Sequence, residues 1–157
     1  RRDGKLDPAE EQLRWLLATA RQQQTDDAHP PYLSMVLVEL GLLAGQRGDP
    51  AAALTWHREG FDIYRDEDSA RGMAWALAGM AAALVDDGRP GLAAQLLGAA
   101  HAAQRRAGEP MSASERAELA RTTAAVRAAE PDFAARFARG GELTPEQARS
   151  LLDKDRA

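Results

Sequence analysis

The chain repeats itself at an offset of 40 residues. Gly48-Asp49-Pro50-Ala51-Ala52-Ala53 lines up with Gly88-Arg89-Pro90-Gly91-Leu92-Ala93. In the same register Leu37 meets Leu77, Leu40 meets Met80, Gly41 meets Ala81 and Gly60 meets Ala100. One copy further back, Leu13, Leu17 and Ala20 meet Ala53, His57 and Gly60, and then Ala93, Leu97 and Ala100. A period of this size belongs to helical solenoids, in which a helix pair buries its apolar face only by stacking on the next pair. Proteins built this way mostly bind and position other molecules and rarely catalyse.

The composition suits stacked helices. Hydrophobic residues make up 45% of the 157, carried mostly by alanine and leucine, and aromatics only 5%. Alanine is the best helix former and is small, so its helices approach closely. The length suffices for one domain with a real core. The net charge is -4 with both signs spread along the chain, which offers no electrostatic case for nucleic acid or an anionic membrane. The absence of cysteine excludes disulfides and thiolate metal sites. Arginine far outnumbers lysine (only Lys5 and Lys154), which reads as GC-rich coding and points to an actinobacterial source. The longest apolar run, Tyr32 to Gly45, is broken by Ser34 and Glu39 and is too short to span a bilayer. Arg1-Arg2-Asp3-Gly4-Lys5 shows no leader pattern, so a cytoplasmic location is expected.

Start and stop signals predict eight helices. Asp7-Pro8 is an N-cap followed by proline at the first helical position, opening a helix to about Gln24 with Leu13, Leu16, Leu17 and Ala20 on one face. The second covers about Pro31 to Gln46 and stops at Gly48. Asp49-Pro50 opens the third, to about Tyr64, and Ser69 caps the fourth, which ends near Asp87-Gly88. Pro90 opens the fifth, which ends before Gly108. Ser112 to Glu115 has the spacing of a capping box for a sixth helix near 113–129. Pro131 opens a short seventh through Arg139, and Thr144-Pro145-Glu146-Gln147 is a second capping box opening the last. No segment alternates as a half-buried strand does. The expected fold is therefore all-α, with helices two and three forming one antiparallel pair and four and five the next. Repeat helices fill 8–108 and capping helices 112–153 of a single domain over 1–157. The first helix reads as the second half of an incomplete pair, and the chain does not begin with Met; both suggest a piece of a larger protein.

Leu37, Leu40-Gly41, Gly48-Asp49 and Ala53, and then Leu77, Met80-Ala81, Gly88 and Ala93, sit at signature spacings of the tetratricopeptide repeat, although that repeat is usually about 34 residues long. The resemblance implies a right-handed α-solenoid. The usual Trp and Tyr of the first helix are missing, so the likeness is to the class. The later half is more specific. Ala76 to Leu84, Ala93 to Ala100, Arg106-Ala107-Gly108, Ser112 to Leu119, Phe133 to Gly140 and Leu143 to Ala148 follow one another as in the C-terminal repeat region of large bacterial STAND-type regulators. These are the LuxR-family and AfsR-like transcriptional regulators and related predicted ATPases. The resemblance implies a non-enzymatic sensor or interaction module that restrains or releases attached ATPase and DNA-binding modules. Neither module is encoded here, because there is no Gly-rich Lys-Ser/Thr phosphate loop and no basic recognition helix.

In a tetratricopeptide-like pair the first helix lines a concave face. In that register the groove positions are Met35, Val38, Leu42 and Gln46, then Trp75, Ala78, Ala82 and Asp86. Almost all are apolar, and helices two and four are apolar nearly all round. Such a helix is buried on every side or presents an apolar patch. Four occupants fit: the chain's own later helices, a second copy in a homodimer, a partner protein or attached domain, or a small apolar effector. Trp75 is the residue expected to touch a partner.

Nothing else in the chain carries a chemical signature, and no catalytic, metal or cofactor site is assigned. His29, His57 and His101 lack a partner at metal-ligand spacing and read as helix-surface or inter-helix residues. Asp66-Glu67-Asp68 and Asp86-Asp87 read as solvated turns without calcium-loop spacing. Ser34, Ser69 and Ser112 lack the strand-turn-helix setting of a nucleophile. Gly41 and Gly45 are spaced to admit a neighbouring helix. Trp15 and Trp56 read, with Trp75, as core or groove anchors, and Arg105-Arg106 is too small a basic cluster to hold DNA.

Overall fold

Helix after helix in this chain is closed by the same turn. The computed structural model describes residues 7–155. The first five of its residues, on which the reading of a missing leader rests, lie outside that range. The described residues form α1 (Pro8–Gln23), α2 (Leu33–Gln46), α3 (Pro50–Asp66), α4 (Ala70–Asp86), α5 (Pro90–Ala107), α6 (Ala113–Ala129), α7 (Phe133–Gly141) and α8 (Pro145–Asp155), with no strand among them. The fold is all-α.

Left-handed backbone occurs at Gly48 (φ 76°), Asp68 (φ 55°), Gly88 (φ 76°) and Gly108 (φ 68°), spaced 20 residues apart. After α2, α3 and α4 the chain closes identically. The N–H groups of Asp49, Ser69 and Arg89 donate to the carbonyls of Ala44, Tyr64 and Leu84 at 3.0, 2.9 and 2.8 Å. The N–H groups of Gly48, Asp68 and Gly88 donate to Gly45, Arg65 and Val85 at 3.0, 3.0 and 3.1 Å. This double bond is the Schellman ending, which satisfies carbonyls that the helix leaves open. The unit is therefore one helix plus one turn. The 40-residue offset in sequence is two such units, because helices with different burial alternate. The turn at Asp68 escapes a sequence reading that looks for glycine.

Six of the eight expected starts hold. The Asp7 carboxylate accepts from the N–H of Ala9 at 2.8 Å, Asp49 from Ala52 at 3.1 Å, and the Ser69 hydroxyl from Gly72 at 3.0 Å. Both capping boxes form: the Glu115 N–H donates to the Ser112 hydroxyl while the Ser112 N–H donates to Glu115, and Thr144 and Gln147 do the same. Two starts shift. Helix α2 opens at Leu33 rather than Pro31, and α7 at Phe133 rather than Pro131, each after a turn of two residues.

Short turns between α2, α3, α4 and α5 make neighbours antiparallel, and each packs along the next. Helix α4 also touches α2, α6 and α8, so most of its apolar circumference is covered. Its Leu77, Met80, Ala81 and Leu84 are fully buried. A second cluster joins α1 to α2 through Leu17, Ala20, Leu33 and Leu37. There the buried Glu10 carboxylate pairs with Arg14 and Arg47.

Beyond α5 the order changes. Helix α7 packs against α5 at backbone contact. A methyl group on Gly140 would sit 1.9 Å from the Gln95 carbonyl oxygen, and one on Gly98 would sit 2.0 Å from that of Phe137. Helix α6, bypassed, leans on α4. Helix α8 lies against α4 and α5 and is tied to α3 by Arg58–Asp153 at 2.9 Å and Arg149–Asp62 at 3.3 Å.

Candidate functional site

The side of α2 and α4 that the repeat register marks as a groove has a buried floor and an open upper part. On α2, Met35, Leu42 and Gln46 share a stripe with Glu39. On α4, Arg71 and Trp75 are one turn apart, with Ala78 and Ala82 continuing the line. Helix α6 forms the other wall. Its Glu115, Glu118 and Thr122 fall on one face because i, i+3 and i+7 positions stack on a helix.

The floor is a small cavity of about 20 Å³ among Val38, Leu42, Trp75, Ala78, Ala82, Leu119 and Thr122. That volume is on the scale of one water molecule, so the apolar bottom is essentially filled by α6. Val38 (2% exposed) and Ala78 (6%) are thus core residues and not a presented surface. The reason is the leaning of α6 onto α4. Leu119 and Thr122 pack there, and the Arg71 guanidinium donates to both Glu115 carboxylate oxygens at 2.6 and 2.7 Å. The Ser112 backbone N–H on Glu115, together with the Ser112 hydroxyl and Arg71, outweighs partial burial and holds that carboxyl below its usual range. The His101 ring nitrogen meets the Thr123 hydroxyl at 3.1 Å, fixing α6 to α5 as well.

His57 closes the floor from α3. It is 2% exposed, and its ring lies in a slot between two glycines of different helices. An added methyl group would come within 2.6 Å of the ring at Gly41 on α2 and 2.5 Å at Gly79 on α4. Burial pushes the His57 pKa down to about 4, so the ring is neutral at pH 7. Its Nδ1 is buried without a hydrogen-bond partner. The sequence reading of His57 as a surface or inter-helix residue is corrected in part: it is inter-helix but belongs to the core. Gly41 admits a ring from the neighbouring helix, whereas nothing lies within 4 Å of a methyl group on Gly45.

Above the floor opens a cleft of about 800 Å³. It gathers Met35, Leu42, Gln46 and Trp75 of the expected groove and adds residues that the repeat register did not indicate. These are Glu39, Arg71 and Met111, and Glu109, Glu115, Glu118 and Arg121 from the α5–α6 connection and α6. Met35 stands 48% exposed at its edge. Asp86, at the far end of α4, is exposed and lines neither space. The contribution of α6 had no signal in the repeat, because the chain leaves the 20-residue rhythm after Gly108. Trp15, read as an anchor, is 65% exposed instead, since it faces away from the stripe of Leu13, Leu17 and Ala20. Trp56 is half-buried against the core, with the Arg14 guanidinium 5.9 Å from its ring centre.

Among the described residues, no three His, Asp or Glu side chains are gathered as a metal site, and no helix is long and apolar enough to cross a membrane. Comparison with protein-family models, with curated proteins and with solved structures finds no match to this chain.

Proposed function

We propose that this chain is a protein-interaction module of the tetratricopeptide-like solenoid type, and that the cleft between α2, α4 and α6 holds a segment of a partner protein or of an attached domain. One observation carries the reading: an open cleft of about 800 Å³ in which the apolar surfaces of Met35, Leu42 and Trp75 stand beside polar and charged side chains. Recognition surfaces combine apolar and polar side chains in this way, and Trp and Met are enriched in them. The floor beneath, at about 20 Å³, has no room for an apolar effector, and the open cleft above it is lined by several charged side chains, which suits a protein segment better than a small apolar molecule.

The order of the repeats and of the helices after Gly108 supports placement within a bacterial regulator of the STAND type, in the cytoplasm. There an occupant that binds one arrangement of α6 better than another would bias the attached modules by that difference in affinity. A photo-reactive residue at Met35, with another at the exposed Ser150 of α8 as control, tests the reading in cells of the source organism. Cross-linking to a defined protein segment from position 35 and not from 150 is expected. Equal capture at both positions, or none at 35, would refute it.

A further inference from the structure

The cleft carries an unbalanced charge, and that selects its occupant. This inference rests on the cleft being a binding site. Four glutamates line it (Glu39, Glu109, Glu115 and Glu118) against two arginines, Arg71 and Arg121. Both arginines are engaged already: Arg71 grips Glu115 with two bonds, and Arg121 pairs with Glu118 on the same helix. Glu39 on α2 and Glu109 on the α5–α6 connection have no ion pair among the described residues, and both are exposed. Two carboxylates of like sign therefore line one cleft together with the apolar surfaces of Met35, Leu42, Trp75 and Met111.

We infer that the cleft binds a cationic amphipathic segment of a partner protein, its apolar side chains on Trp75 and Met35 and its lysines or arginines toward Glu39 and Glu109. An acidic segment would meet the unpaired carboxylates of Glu39 and Glu109 while both arginines are already engaged, and like charges brought together oppose binding. A purely apolar segment would leave Glu39 and Glu109 desolvated without a partner, which costs free energy. Two methionines suit such an occupant, since flexible thioether side chains adapt to differing apolar contours. A segment fits the space better than a folded surface, because α2 and α6 stand as walls on either side of α4, in the manner of grooves that take a single helix.

The test uses two fluorescent helical peptides with the same leucine stripe, one flanked by lysines and the other by glutamates. Each is titrated into the full chain by anisotropy, and the Trp75 indole signal is followed by NMR. The lysine peptide is expected to bind about tenfold tighter, to weaken with added salt, and to shift the Trp75 signal. The Glu39→Gln/Glu109→Gln variant, altered only at exposed side chains, should reduce that preference to about threefold or less. If both peptides shift Trp75 with equal affinity, the charge inference fails while the cleft stands as a peptide site. If neither moves Trp75, the inference and the reading beneath it fall together. If the Trp75 signal shifts with protein concentration alone, the occupant is a second copy, which also overturns the inference.

Discussion

Acid should unfold this protein through His57 before it does so through the carboxylates. The ring is 2% exposed in its glycine slot, and burial holds its pKa at about 4 against an ordinary 6.5. In the unfolded chain the imidazole takes up a proton as pH falls past 6.5, while in the folded chain it refuses one until about 4. Across that window the unfolded state binds more protons, so stability is full above the window and falls as pH drops through it. Those two pKa values give a loss of about 2 kcal/mol between about pH 7 and pH 5, and about 3 kcal/mol by about pH 4. Urea denaturation at each pH reads this directly. With a urea dependence of about 1–3 kcal/mol per molar, the midpoint should drop by about 1 M between pH 7 and pH 5. His57→Met, which keeps an adaptable side chain in the slot without a titrating group, should remove this pH dependence whatever its starting stability. His101, lowered by burial and then by Arg105 and Arg127, acts with the same sign and is present in both proteins, so the difference between them isolates His57. Parallel pH profiles for the two proteins would refute the reasoning.

Three further outcomes are expected. Gly140→Ala should push α7 off α5, because the new methyl group meets the Gln95 carbonyl oxygen at 1.9 Å and neither backbone can yield cheaply; a cost of about 3 kcal/mol or more, with faster tryptic cleavage at Arg136 and Arg139, is the reading to look for. Asp68→Gly should stabilise by about 0.5–1 kcal/mol in thermal melts, since a left-handed φ of 55° costs an aspartate what it does not cost glycine. Ser112→Ala should cost about 1 kcal/mol and raise the amide exchange of the first turn of α6, since one half of the capping box is lost.

Much of the helix arrangement is legible in the amino-acid sequence. Caps at Asp7, Asp49, Ser69, Ser112 and Thr144 are local events: a side-chain oxygen needs only the N–H groups two or three residues on, so sequence neighbours suffice. The same holds for the turns at Gly48 and Gly88, where glycine announces a positive φ. The turn at Asp68 did not announce itself, because aspartate adopts a positive φ far less often than glycine and so does not mark one in a sequence. The apolar character of α4 left open whether it is buried on every side or presents an apolar patch, and the structure packs α2, α3, α5, α6 and α8 against it while Trp75 still lines an open cleft.

The candidate site divides in the same way. Sequence alone determined that Met35, Leu42, Gln46 and Trp75 share one side, because helical period and a repeat offset are properties of spacing. It could not determine that α6 would lie over Val38 and Ala78, or that Glu39 and Glu109 would border one opening. Those follow from where the chain goes once the repeat ends, and that depends on distant contacts. Gly98 and Gly140 let α7 settle on α5, so α6 is left to lean on α4, where Arg71 holds Glu115. Only the tertiary structure could turn an apolar face into a filled floor beneath an acidic cleft, since the burial of a side chain and the charge of a cleft are set by neighbours far away in the chain.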